Sequence, residues 1–210
     1  MRIALASMIP LLWGCSEPDP DFAVSQWEDG VEVTMPPSQS LQPAVGSTAP
    51  GLWAKSTAQA KDGENSWHFG DGMTFPTLAN ASLRSPEFEA GRQSFLRFSY
   101  WSDIPTLSAS TGTDGLVVEG QIGSGAWMQL ELHGGYPYVL DETTLGSSLS
   151  LGLGMIAGTE REWVDDWVEI PDAEPGQSIR FRFRFGGDID EGNNMGEGIY
   201  IDAAEYLIVE

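Results

Sequence analysis

From residue 179 to residue 185 apolar and charged positions alternate without a break, with Ile179, Phe181, Phe183 and Phe185 on one side and Arg180, Arg182 and Arg184 on the other. Alternation with a period of two puts successive side chains on opposite faces of an extended chain, so this stretch predicts a strand with one face in a core. The phenylalanines on that face need a deep interior to enter. Residues 198–209 give a second apolar run, rich in Ile, Tyr and Val, interrupted by Asp202 where a purely structural strand prefers another apolar residue. Further apolar runs lie near residues 52–57, 66–69, 81–84, 94–101, 116–122, 127–132 and 163–170. Between them stand Asp62-Gly63, Asp71-Gly72, Asp114-Gly115, Gly123-Ser124-Gly125, Gly134-Gly135 and Pro175-Gly176, turn signals with identifiable backbone reasons. No stretch carries a sustained helical stripe. The pattern predicts an all-β chain folded as an antiparallel two-sheet sandwich, jelly-roll-like.

The remaining stretches set the organisation. Residues 23–35, with Val31, Val33 and Met35 alternating against Glu32 and Thr34, read as a first strand. Residues 36–50 hold four prolines, which remove ladder donors and exclude a central strand, leaving a surface loop or linker. Residues 141–158 are rich in Leu, Ser and Gly without clear period and read as a long connection across one end of the sandwich. Asp188, Asp190, Glu191, Asn193 and Asn194 superficially match a calcium loop, but the glycine and final glutamate positions of an EF-hand are not met, so a solvated hairpin connection is expected.

At the start, Met1-Arg2 is a short positive region, residues 3–13 are apolar, and Gly14 directly precedes Cys15. The run falls short of the roughly 20 residues of a spanning helix and reads as a cleaved export signal. This looks like a bacterial lipoprotein signal, although Trp13 stands where that pattern prefers a small residue. Cys15 is the only cysteine in 210 residues, so no intramolecular disulfide explains it, whereas acylation does. Each buried methylene contributes about 0.8 kcal/mol, and more than one acyl chain gives durable anchoring. Ser16, where an aspartate would retain the protein at the inner membrane, resembles the rule for outer-membrane sorting. The expected layout is a signal over residues 1–15, a tether over 16–50 and a β-sandwich over 51–210. With 31 Asp+Glu against 10 Lys+Arg and a formal charge of -21, the chain is unsuited to nucleic acid or to electrostatic attachment on anionic lipid. A monomer is expected.

Three segments, in order, resemble the accessory β-sandwich of immune-inhibitor-A-type secreted peptidases, related to the MAM and concanavalin-A-like jelly rolls. They are Ser66-Trp67-His68-Phe69-Gly70 with Leu83-Arg84-Ser85-Pro86-Glu87-Phe88, then residues 114–119 with Trp127-Met128-Gln129-Leu130, then residues 176–185 with residues 196–202. The resemblance covers residues 67–210 and implies a non-catalytic domain, with one structural calcium held between its first and last strands. Glu28 and Asp202 would correspond to its ligands, with Asp114 a lesser candidate, because Asp-Gly is equally what a hairpin turn needs. Calcium requires several oxygen ligands at once, and Ala203 stands where the family often has a second acid. The other reading of Asp202 is a carboxylate hydrogen-bonded near a strand end.

The chemistry available is narrow. His68 and His133 are the only histidines and form no H-E-x-x-H arrangement, which excludes zinc-peptidase chemistry at the motif level. There is no G-x-S-x-G elbow, and no catalytic residue is assigned. The acid-rich segment 160–169 does not place two carboxylates as concanavalin-like glycanases need, although a glycan-cleaving enzyme remains the alternative class. Arg180, Arg182 and Arg184 are either a cationic strip for acidic glycans or cross-strand partners of acids worth about 0.2–1 kcal/mol each. Trp101, Trp127, Trp163 and Trp167 are sugar-stacking surfaces if they share a face, and core filling otherwise. The expectation is a lipid-anchored outer-membrane protein whose sandwich binds carbohydrate or protein. Trp163, Trp167 and Arg182 are its candidate ligand contacts, and a purely structural envelope lipoprotein is the third possibility.

Overall fold

The structure, a computed structural model, describes residues 53–70, 73–74, 77–189 and 196–209, together with the backbone of 31–33 and 42–43. Fifteen strands run through the described residues. In chain order they are β1 (Val31–Val33), β2 (Gln42–Pro43), β3 (Trp53–Ser56), β4 (Ser66–Phe69), β5 (Asn80–Arg84), β6 (Phe88–Glu89), β7 (Gln93–Asp103) and β8 (Thr111–Gly112). They continue with β9 (Gly115–Ile122), β10 (Met128–Gln129), β11 (Tyr138–Leu140), β12 (Gly154–Met155), β13 (Val164–Glu169), β14 (Ser178–Gly186) and β15 (Gly198–Val209). No helix occurs among the described residues, and the chain is an all-β sandwich.

One sheet has the order β13-β7-β15-β4-β3, with β1 pairing β15 beyond the reach of β4. The other has the order β10-β9-β14-β5-β2, with β6 pairing the start of β14. The alternation read in β14 is realised: Ile179, Phe181, Phe183 and Phe185 are fully buried, while the arginines between them face outward and are half-buried. Ring contacts bridge the sheets, among them Phe88 stacked on Tyr206 at 4.4 Å. Phe183 meets Phe98 edge-on at 4.9 Å, Phe185 stacks on Phe69 at 4.1 Å, and Phe181 lies 5.9 Å from Tyr206. Such aromatic pairs contribute about 0.5–1.5 kcal/mol beyond the area they bury.

Asp202 marks a β-bulge. The register of β15 on β7 shifts between Asp202 and Glu205, and Ala203 takes a left-handed φ of 48°. One extra residue reverses which parity faces inward. Hence Ile199 and Ile201 point into the core before the bulge, and Ala204, Tyr206 and Ile208 after it. The carboxylate of Asp202 secures the irregularity, accepting from the backbone N–H of Ala203 at 2.8 Å, Lys61 at 2.8 Å and Asp62 at 3.0 Å.

Three expectations are corrected. Residues 187–197 are not a hairpin connection, because β14 and β15 belong to opposite sheets. Residues 141–158 are not wholly irregular: β12 pairs β11, which pairs β8 in parallel, and Leu149, Met155 and Ile156 join the core. Pro43 lies within a strand, but an edge one two residues long, where a missing donor costs nothing. The expected first strand is described only at Val31–Val33, where its backbone pairs Leu207, Ile208 and Val209.

Candidate ligand-binding cleft

Two facing sheets leave two open seams, and one of them is closed by residues 128–133. Met128 and Gln129 pair β9, on the edge of one sheet. Four residues later the chain has reached the edge of the other, where Leu132 bridges Val168 and the His133 N–H donates to the Trp167 carbonyl at 3.0 Å. Alternation persists through the crossing. Leu130 and Leu132 are buried, which turns Gln129, Glu131 and His133 outward. Tyr136 fixes the crossing point: its phenol donates to the Leu130 carbonyl at 3.0 Å and accepts from the Val118 N–H at 3.1 Å. Burial pushes that phenol up to about 12, so it stays protonated and able to donate at neutral pH.

The opposite wall is β13, with Asp166, Val168 and Ile170 buried and Trp167 and Glu169 turned outward. Continuing the Leu132–Val168 register one residue each way sets His133 opposite Trp167 and Glu131 opposite Glu169. The His133 and Trp167 rings stack at 4.6 Å, and Phe95 meets the indole edge-on at 5.3 Å. The result is a cleft of about 450 Å³ whose polar and aromatic lining is Gln129, Glu131, His133, Trp167 and Glu169, bounded by Pro171.

Burial holds the Glu169 carboxyl above the ordinary glutamate range, opposed by a hydrogen bond from Gln93. Burial likewise raises Asp166, against the backbone N–H groups of Trp167 at 2.8 Å and Gly134 at 3.2 Å that its carboxylate accepts. Asp166 thereby ties β13 to the turn after His133. A Cβ on Gly134 would lie 3.0 Å from that carboxylate, so the turn admits little else. Chemically the cleft offers an aromatic surface, acceptors on two glutamates and an amide that both donates and accepts, a set suited to a neutral polyol with an apolar face.

Of the residues expected to contact ligand, only Trp167 lines this cleft. Trp163 is half-buried just ahead of β13 and is not part of the lining. Arg182 lies on the outer face of the other sheet, salt-bridged with Arg184 to Glu119, while Arg180 pairs Glu87. The arginine stripe is thus largely cross-strand paired. Trp101 is 5% exposed and packs edge-on against Tyr200. Asp114 sits in the bend just ahead of β9, whereas Asp202 is on β15 of the other sheet. Asp114 accepts from the Asp188 N–H at 2.8 Å and the Thr113 hydroxyl at 2.7 Å, whereas Asp202 faces three N–H donors. Glu28 and Cys15 lie outside the described residues, and no metal-binding group of three acids, histidines or cysteines occurs among the described residues.

Comparison with protein-family models and with curated proteins finds no match. Among solved structures the chain is similar to one studied for the promiscuous specificity of carbohydrate-binding modules of the β-sandwich superfamily. That likeness has 14% identity and a TM-score of 0.43, covering 86% of this chain and 59% of the other, so this chain spans under two thirds of it. It is also similar to a xylan-binding domain from Paenibacillus barcinonensis, at 13% identity and a TM-score of 0.40, covering 82% and 88% of the two chains. The K1 cleaved adhesin domain of Lys-gingipain from Porphyromonas gingivalis W83 shares 18% identity at a TM-score of 0.37, covering 86% and 93%.

Proposed function

We propose that this chain is a non-catalytic, lipid-anchored binding protein of the bacterial outer membrane whose sandwich engages carbohydrate in the seam cleft. The observation that carries the reading is the stacked His133–Trp167 pair beside Glu131, Glu169 and Gln129 in an open cleft. A pyranose ring offers an apolar face to an indole and hydroxyls to flanking carboxylates and amides, so this side-chain set answers both. An array of glycans probed with the full chain identifies the sugar, and calorimetry then measures it. Trp167→Ala is expected to weaken binding about 30-fold, the cost of a central hot-spot aromatic of about 2 kcal/mol. An unchanged affinity contradicts the assignment.

A hydrolytic reading rests on Glu131 and Glu169. Directly opposed cross-strand positions lie about 4.5–5.5 Å apart at Cβ, close to the roughly 5–5.5 Å between carboxyls in a retaining glycosidase. Outward side chains at opposed positions point the same way, so a sugar would rest on both acids rather than between them. Binding without turnover is therefore favoured. Reducing ends released from the bound glycan, and lost on Glu169→Gln, would reverse that choice.

Anchoring is carried by the apolar leader and the lone Cys15 behind it. Fatty-acid labelling of the chain in a bacterial host is expected and is lost in Cys15→Ser; label that persists in the variant contradicts it.

A further inference from the structure

Two guanidiniums share one carboxylate on the outer face of the sheet β10-β9-β14-β5-β2, and a third stands beside them. Arg182 stands opposite Glu119 across the β14–β9 ladder and opposite Arg84 across the β14–β5 ladder. Like charges placed directly opposite each other destabilise a sheet. Glu119, 5% exposed, is already engaged: Arg182 and Arg184 share its Oε2, and Arg184 Nη2 reaches its Oε1 at 3.0 Å. Arg180, the next cation along the strand, takes Glu87. Arg84 has no carboxylate partner among the described residues. Its Nε is buried without an acceptor among the described residues, and it lies 5.5 Å from the centre of the Trp127 ring. The same ring covers Arg182 at 4.4 Å. Arg84 is also held below the usual arginine range, by burial first and then by Arg182 and Arg180. In a chain with 31 acids and 10 bases, a half-buried cation set against another cation and given no acid is a costly arrangement that a ligand carboxylate would relieve.

We infer that Arg84 and Trp127 form a second subsite, which takes the carboxylate of a uronic-acid sugar. The inference rests on the carbohydrate reading and extends it. Gln129 joins the two places, lining the cleft while standing opposite Glu119 on β10 and β9. A saccharide is favoured over an acidic peptide because the carboxylate of a uronate sits on a ring whose apolar face suits Trp127. A charge of -21 on the whole chain also opposes a run of acidic side chains more than a single well-placed carboxylate. Screening over about 8 Å at physiological ionic strength keeps the attraction local to the guanidiniums.

The test uses the full chain and calorimetry with glucuronate-, galacturonate- and mannuronate-containing oligosaccharides, each beside its neutral counterpart of equal length, and with a poly-glutamate peptide. At least one uronate oligosaccharide is expected to bind tenfold or more tightly than its neutral counterpart, with the advantage shrinking as salt is added. Arg84→Gln and Trp127→Ala each remove that preference. Trp167→Ala instead weakens acidic and neutral sugars alike, which separates this subsite from the cleft. Because Arg84→Gln removes the opposed cation, its melting temperature is expected to equal or exceed that of the unmodified chain. Equal affinity for acidic and neutral sugars, no uronate binding, a preference that survives Arg84→Gln, or a melting temperature lowered by it would overturn the inference. Neutral sugars still bound through Trp167 would then leave the cleft assignment standing. Peptide bound as tightly as uronate would overturn the inference too, placing the subsite with protein ligands.

Discussion

Phe183→Ala is expected to lower the free energy of unfolding by about 3–5 kcal/mol, the range for truncating a fully enclosed phenylalanine whose neighbours cannot close the gap. Phe183 has no exposed surface, belongs to the central strand of its sheet, and is flanked on the same face by Phe181 and Phe185. Its ring meets Phe98 of the opposite sheet edge-on at 4.9 Å, so truncation empties the space between the sheets where both are regular and neither can bend inward. Urea unfolding reads the change as a lower midpoint at unchanged slope. A loss under about 1 kcal/mol would mean that the alternating face of β14 is not enclosed. Because β14 lines no part of the cleft, ligand affinity of the folded fraction is expected to stay as it was.

Glu119→Gln is expected to cost a similar amount, about 3–5 kcal/mol, for an electrostatic reason. The substitution keeps the shape of the side chain and removes the carboxylate that Arg182 and Arg184 share, both of whose side chains are about 85% buried (14% and 15% exposed). Arg84 stands opposite Arg182, so three cations would face one another with no acid between them among the described residues. Removing one partner of a buried pair leaves the other desolvated and uncompensated, which is why the loss exceeds what a surface pair is worth. Urea unfolding at low and high salt checks it: the deficit should be large at low ionic strength and smaller in concentrated salt. A deficit under about 1 kcal/mol at either salt would show that the guanidiniums reach water and need no counter-charge.

Much of the fold could be read from β14 alone, because a strict period of two with phenylalanines on one face admits few other outcomes. The central β9–β10 hairpin was equally legible, since Asp114-Gly115 and residues 123–125 punctuate it. Local pattern does not reveal which sheet a strand joins. Residues 187–197 have the composition of a hairpin, yet β14 and β15 belong to opposite sheets, because pairing is decided by distant strands, β9 and β5 for one and β7 for the other. Asp202 was conspicuous as a carboxylate in an apolar run, but its part in the bulge depends on the N–H groups of Lys61 and Asp62, some 140 residues away. At the cleft, Trp167 could be singled out as an aromatic among acids. Gln129, Glu131 and His133 were missed although they occupy the outward positions of residues 129–133, where Leu130 and Leu132 supply the inward ones. That alternation was available in the sequence; its meeting with β13 was not, since a single bridge at Leu132 makes it.

The most direct measurement is an amide chemical-shift map of the full chain, titrated with the saccharide that the glycan array selects. Saturable shifts are expected at residues 129–133 and 167–171, on the two walls of the cleft, together with the Trp167 indole. Shifts confined to the β3–β4 edge at the opposite seam, or an array on which no saccharide binds, would contradict the assignment.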